Sequence, residues 1–104
     1  MLTVIDAMNH LGYDEADAVV TKLISAELDG ARAYLMGAVG ADIFNLMPDD
    51  ARVDMLLKAY LDDLHDDRGT TSAKAANAKR EMVSSSEQQL RMELIRKREE
   101  AAAI

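Results

Sequence analysis

The sequence predicts an all-α protein: a small helical bundle built on an antiparallel helical hairpin, with a short N-terminal helix and a protruding C-terminal loop and helix. Three observations carry this. Between Pro48 and Gly69, residues Val53, Leu56, Leu57, Tyr60, Leu61 and Leu64 recur at steps of three, one, three, one and three. That is one apolar stripe of a helix and not the alternation of a strand. A second stripe precedes it, formed by Val20, Leu23, Ile24, Leu28, Ala31 and Leu35, and two long helices joined by a short connection pack antiparallel. Composition agrees: 104 residues hold one Pro, five Gly, three Tyr, one Phe and no Trp. Leu, Ile, Val, Met and Ala must therefore fill the core, which favours helix over a sandwich or barrel.

In chain order, Thr3 with Asp6 makes an N-cap for a short helix. Val4, Ile5, Met8 and Leu11 are expected inward, and Gly12 is its stop. Asp14 caps the second helix, with Glu15 and Asp17 in its first turn. Gly30 interrupts that helix at a cost of about 1 kcal/mol relative to Ala, which points to a close helix contact or a bend. Gly37 and Gly40 end it. The connection GADIFNLM is apolar through Ile43, Phe44, Leu46 and Met47, so it is expected to tuck under the bundle. Pro48 suits the first turn of the next helix, Asp49 and Asp50 meet its positive dipole end, and Gly69 ends it.

From Gly69 the character changes. TTSAKAANAKREMVSSS, with small, polar and basic residues, reads as a long loop over 70–86. Ser84 with Glu87 reads as a capping box for a last helix whose stripe is narrow: Leu90, Leu94, and beside them Met92 and Ile95. The domain organisation expected is a helical body over 1–69 and an arm over 70–104, within one domain. A helix with so thin a stripe gains little from its own core and suits packing on another chain; a frayed terminal helix is the alternative.

Charge is uneven. Residues 1–67 hold 14 acids against 4 bases, and residues 68–104 hold 5 acids against 8 bases. An acidic body repels phosphate, which disfavours a duplex-reading module. The basic tail could meet an acidic surface on a partner or on a neighbouring copy. No cysteine is present, so disulfides and thiolate metal sites are excluded. The first residues, MLTVIDAMNHLG, lack the basic start of a signal peptide, and no run of apolar residues is long enough to span a membrane.

Catalytic readings are weak. His65–Asp66 is the dyad of helical metal-dependent phosphohydrolases, but His10 is the one other imidazole. Asp62, Asp63, Asp66 and Asp67 read as a solvated acidic face. Ser84, Ser85 and Ser86 have no local base beyond Glu87. No phosphate-cradling glycine pattern exists, and the methionines are core filler. No enzyme activity, cofactor or metal is expected.

Three stretches carry a family likeness: LTVIDAMNHLGYDEADA leading to ARAYLMGAVG, then MLLKAYLDDLHDDRG, then REMVSSSEQQLRMELIRKREE. Together they resemble the head–tail connector (adaptor, or head-completion) proteins of long-tailed bacteriophages. The resemblance implies a virion protein, assembled in the host cytoplasm, that forms a homo-oligomeric ring below the portal protein at the head–tail junction. It implies roughly a dozen copies closed by head-to-tail contacts, an extended DNA channel without sequence-specific binding, and a platform for the next stopper or tail protein. The second helix departs from the commoner family pattern, in which an aromatic-rich segment follows the Tyr. The partner surface expected is Lys79, Arg80, Leu90, Arg91, Leu94, Arg96, Lys97 and Arg98. The alternative is a small acidic protein-binding inhibitor, antitoxin-like or a DNA mimic.

Overall fold

The computed structural model describes residues 1–13, 18–65 and 73–103, with the side chains of 73–77 not described. The fold is a small all-α bundle, and no strand occurs among the described residues. Its helices are α1 (Val4–His10), α2 (Ala18–Ala38), α3 (Ile43–Leu46), α4 (Ala51–His65) and α5 (Ala73–Ala102). No helix of the described residues is long and apolar enough to cross a membrane.

The N-terminal helix forms as its sequence dictates. The Thr3 hydroxyl accepts from the Asp6 N–H at 3.2 Å, and the Asp6 carboxylate accepts from the Thr3 N–H at 3.1 Å, so both members of a capping box are made. Gly12 has φ +91°, the left-handed conformation that stops the helix. Ala7 is fully buried, and Val4, Met8 and Leu11 pack partly on the core. Ile5, expected inward, is 69 % exposed, because a seven-residue helix can turn only one narrow face to its support.

Helices α2 and α4 form the expected hairpin. Ile24, Leu28, Ala31 and Leu35 of α2 meet Val53, Leu56, Leu57, Tyr60 and Leu61 of α4, all buried. Two stripe residues fall outside: Leu23 and Leu64 are each about half exposed. At Gly30 the close-contact reason does not hold. A Cβ built there meets Leu64 Cδ1 at 3.8 Å, an ordinary contact, so no close approach demands glycine. The α2–α4 connection does tuck under: Ile43 and Met47 are buried, and Phe44 and Leu46 are partly so. Gly37 lies within α2 and does not end it. Gly40 follows the helix, and a Cβ there would come within 2.5 Å of Leu94 and 2.6 Å of Arg98. The α2–α3 turn therefore lies directly against α5. The proposed cap at Asp14, with Glu15 and Asp17, and the stop at Gly69 lie outside the described residues.

The loop expected over 70–86 is corrected. Over residues 73–86 the chain is helical, continuous with the last helix, and Ser84 and Glu87 sit mid-helix with no capping role. Ala, Lys, Arg, Glu and Met dominate AKAANAKREM, and all rank high in helix propensity, with no Gly or Pro to interrupt them. Lys79, Val83, Ser86, Leu90, Leu94 and Lys97 recur at steps of four and three and face the body, from half-buried to fully buried. Leu90 and Leu94 are fully buried, whereas Met92 and Ile95 are 66 % and 53 % exposed. Helix α5 packs on α4 and α3.

Leu94→Ala is expected to destabilise the protein by about 2–5 kcal/mol, with Met92→Ala within about 0.5 kcal/mol of the parent, as read by urea unfolding. Gly30→Ala should raise stability by up to about 1 kcal/mol in the same measurement, since it adds helix propensity without a clash.

Candidate functional site

The chemistry-bearing side chains gather in two places: along the seam where α5 meets the body, and where α1, α2 and α4 converge.

At the seam, the central residue is Arg52, in the first turn of α4. Its Nε and Nη2 donate to both Asp50 carboxylate oxygens at 3.0 and 2.8 Å, a bidentate pair. Nη2 also donates to Glu93 of α5 at 2.6 Å, and Nη1 to Gln89 at 3.4 Å. The guanidinium hydrogen bonds hold the Asp50 and Glu93 carboxyls below the usual carboxylate range, and the two carboxylates in turn raise the Arg52 pKa. Farther along α5, Arg98 donates to Asp42 at 2.8 and 2.6 Å, and this hydrogen bonding lowers the Asp42 pKa. Toward the other end, Lys79 donates to Asp63 at 3.1 Å and lies 3.9 Å from Asp62. Three separate ion-paired contacts thus stitch one helix to an acidic body.

In the second place, His65 Nδ1 lies 2.8 Å from Glu27 Oε2 and its Nε2 3.1 Å from the Tyr13 hydroxyl. The carboxylate can only accept, so Nδ1 carries a hydrogen, and in the neutral ring Nε2 accepts from Tyr13. The Tyr13 and His65 rings meet edge to face, with centroids 5.7 Å apart. His10 Nε2 bonds Asp62 at 2.8 Å. These contacts tie the end of α1 to α2 and α4. The His65 side chain is 20 % exposed. Its contacts are with Glu27 and Tyr13, residues distant in the chain, so only the tertiary fold could reveal them. Asp66 and Asp67 lie outside the described residues. Among the described residues no group of three or more His, Asp or Glu could hold a metal ion. A shallow concavity of about 620 Å³ along α2, lined by Ala18, Thr21, Lys22, Ser25, Ala26 and Asp29, is open to solvent.

The residues expected to face a partner separate into two sets. Leu90 and Leu94 are corrected: both lie in the core and hold α5 to its own body, so neither presents a surface. Lys79 and Arg98 pair with body carboxylates. Lys97 is half-buried and lies 3.7 Å from Glu100. Arg80, Arg91 and Arg96 are exposed. Arg91 donates to the Glu87 backbone carbonyl, and Arg96 approaches Glu100 at 4.0 Å. On helical geometry Met92 and Ile95 point away from the body, between Arg91 and Arg96.

No protein-family model matches the chain, and no curated protein or solved structure shows significant similarity to it.

Asp42, Asp50 and Glu93 have lowered pKa values in the fold, so their pairs add stability above about pH 4 that is lost as pH falls through the folded values. Arg52→Met should therefore unfold at lower urea than the parent at pH 7. The gap should narrow as the carboxyls protonate toward pH 3.

Proposed function

We propose that the chain is a non-enzymatic assembly subunit that docks through the outer face of α5, and that the assembly is a bacteriophage head–tail connector. The observation that carries this is the two-sided character of α5. Its inner face is satisfied at home, while its outer face offers Met92 and Ile95 with Arg91 and Arg96 beside them, and Arg80 is exposed farther toward its start. At 30 residues α5 is about 45 Å long, against about 22 Å for the 15-residue α4 it packs on. A helix longer than either element it packs on, α4 or α3, offers surface to other chains. The likeness of the three sequence stretches supplies the identity of those chains: the portal protein on one side, neighbouring copies in a ring, and a stopper or tail protein on the other. An acidic body suits a channel through which DNA slides, because like charge disfavours lasting contact with phosphate.

Removing residues 87–104 is not a clean test, since it would take Leu90 and Leu94 from the core. Charge reversal at Arg91 and Arg96 with Met92→Glu leaves the inner face intact. Mixed with purified portal rings, the parent is expected to decorate them in electron micrographs and the triple variant to fail, with both showing equal helicity by circular dichroism. Equal decoration by both would remove the α5 face from the reading, and no decoration by either would remove the connector assignment.

A further inference from the structure

Helix α2 carries a second apolar strip that its own chain covers only along one edge, where Leu64 lies 3.8 Å from a Cβ built at Gly30 and the Tyr60 ring meets Tyr34. Val19, Leu23, Ala26, Gly30, Ala33, Tyr34 and Gly37 recur at steps of four, three, four, three, one and three, and so share one helix face. All seven are exposed, with Val19 at 76 %, Tyr34 at 62 % and Leu23 at 52 %. The strip contains no charged residue. Along the helix it measures about 27 Å, at 1.5 Å per residue. The carboxylates at its borders are already paired, Glu27 with His65 at 2.8 Å and Asp29 with Arg32 at 3.7 Å, so neither would be brought unpaired against a partner. This face lies on a different helix from the α5 surface proposed for assembly.

We propose that a second copy of this chain docks on this strip, with the two α2 helices antiparallel about a two-fold axis level with residue 28. The sizes along the strip select that partner and that register. In such a pairing Val19 of each copy lies opposite Gly37 of the other, Leu23 opposite Ala33, and Ala26 opposite Gly30. Each larger side chain meets a smaller one, so the backbones can approach closely, with the half-exposed Leu64 of each copy packed at the edge beside Gly30. Tyr34 falls beside Leu23 of the second copy and adds apolar contact at each end. An isologous contact of this kind is closed, with both copies using the same patch. It therefore makes a dimer and not a ring. Two helices touching over about 27 Å bury on the order of 1,000 Å² in total, at the low end of specific interfaces, so the dimer is a weak one that exchanges with monomer.

The chain has no native cysteine, which allows register to be read directly with single-cysteine variants. Sedimentation equilibrium of the full chain between 10 µM and 1 mM should show a monomer–dimer exchange, weakened at least tenfold by Leu23→Glu with circular dichroism unchanged. Under mild oxidation, Ala26→Cys mixed with Gly30→Cys should form the mixed disulfide-linked dimer, and Val19→Cys alone should stay monomeric. A purely monomeric parent at 1 mM, a dimer indifferent to Leu23→Glu, or rapid self-linking of Val19→Cys would each overturn the proposal. Neither assay contains portal protein, so the outcome is independent of whether the connector reading stands.

Discussion

Everything in this fold depends on α4 burying side chains on two sides at once. Leu57 and Leu61 sit with the α2 stripe in one core, while α5 closes the same core from another side with Leu90 and Leu94. Those two leucines are the fully buried apolar side chains among the described residues of α5, with Val83 packed partly on the same core. Each buried leucine contributes roughly 1.5–3 kcal/mol, so α5 is held by a small apolar contact that needs help. The help comes from charge. Arg52, Lys79 and Arg98 bridge α5 and the body near its middle and toward both of its ends, where the leucines do not reach.

The uneven charge of the sequence thus has an internal answer. The acidic body meets its complement in the same chain, at Asp42, Asp62 and Asp63, and not only on a partner. Exposed ion pairs are individually weak, typically below about 1 kcal/mol, but they fix where a helix lies as well as how firmly. Two of the eight residues first expected to face a partner are spent on this seam, and two more are core. The surface left over on α5 is narrower than composition suggested: Arg91 and Arg96 around Met92 and Ile95, with Arg80 about 18 Å farther along the helix.

Much of this architecture was legible in the sequence. The Thr3–Asp6 box, the Gly12 stop, the α2 and α4 stripes and the apolar connection at Ile43–Met47 all rest on local spacing, and local spacing is what one sequence displays. Leu23 and Leu64 were misplaced because periodicity names a face but not where its cover ends. The first half of α5 reads as loop when its small, polar and basic composition is weighed above helix propensity, although Lys79 and Val83 already continue the register of Leu90 and Leu94. The seam and the His65 cluster were illegible for a different reason. Arg52 and Glu93 are 41 positions apart, and His65 and Tyr13 are 52 apart, so their meeting depends on how helices lie together. The exposed strip of α2 is in plain sight as two large residues followed mostly by small ones at helical spacing, but its meaning depends on knowing which face the body already uses.

The placement of the tyrosines has an optical consequence. With no tryptophan, the near-ultraviolet signal belongs to Tyr13, Tyr34 and Tyr60. Tyr60 is buried with its ring edge against Tyr34, 4.8 Å between centroids, while Tyr13 meets an imidazole edge to face at the other junction. Burial raises the Tyr60 pKa, with Glu87 of α5 adding to the effect. Alkaline spectrophotometric titration would therefore resolve a late-ionising phenol whose absorbance reports whether α5 is seated, giving the chain a built-in dye for its own longest helix.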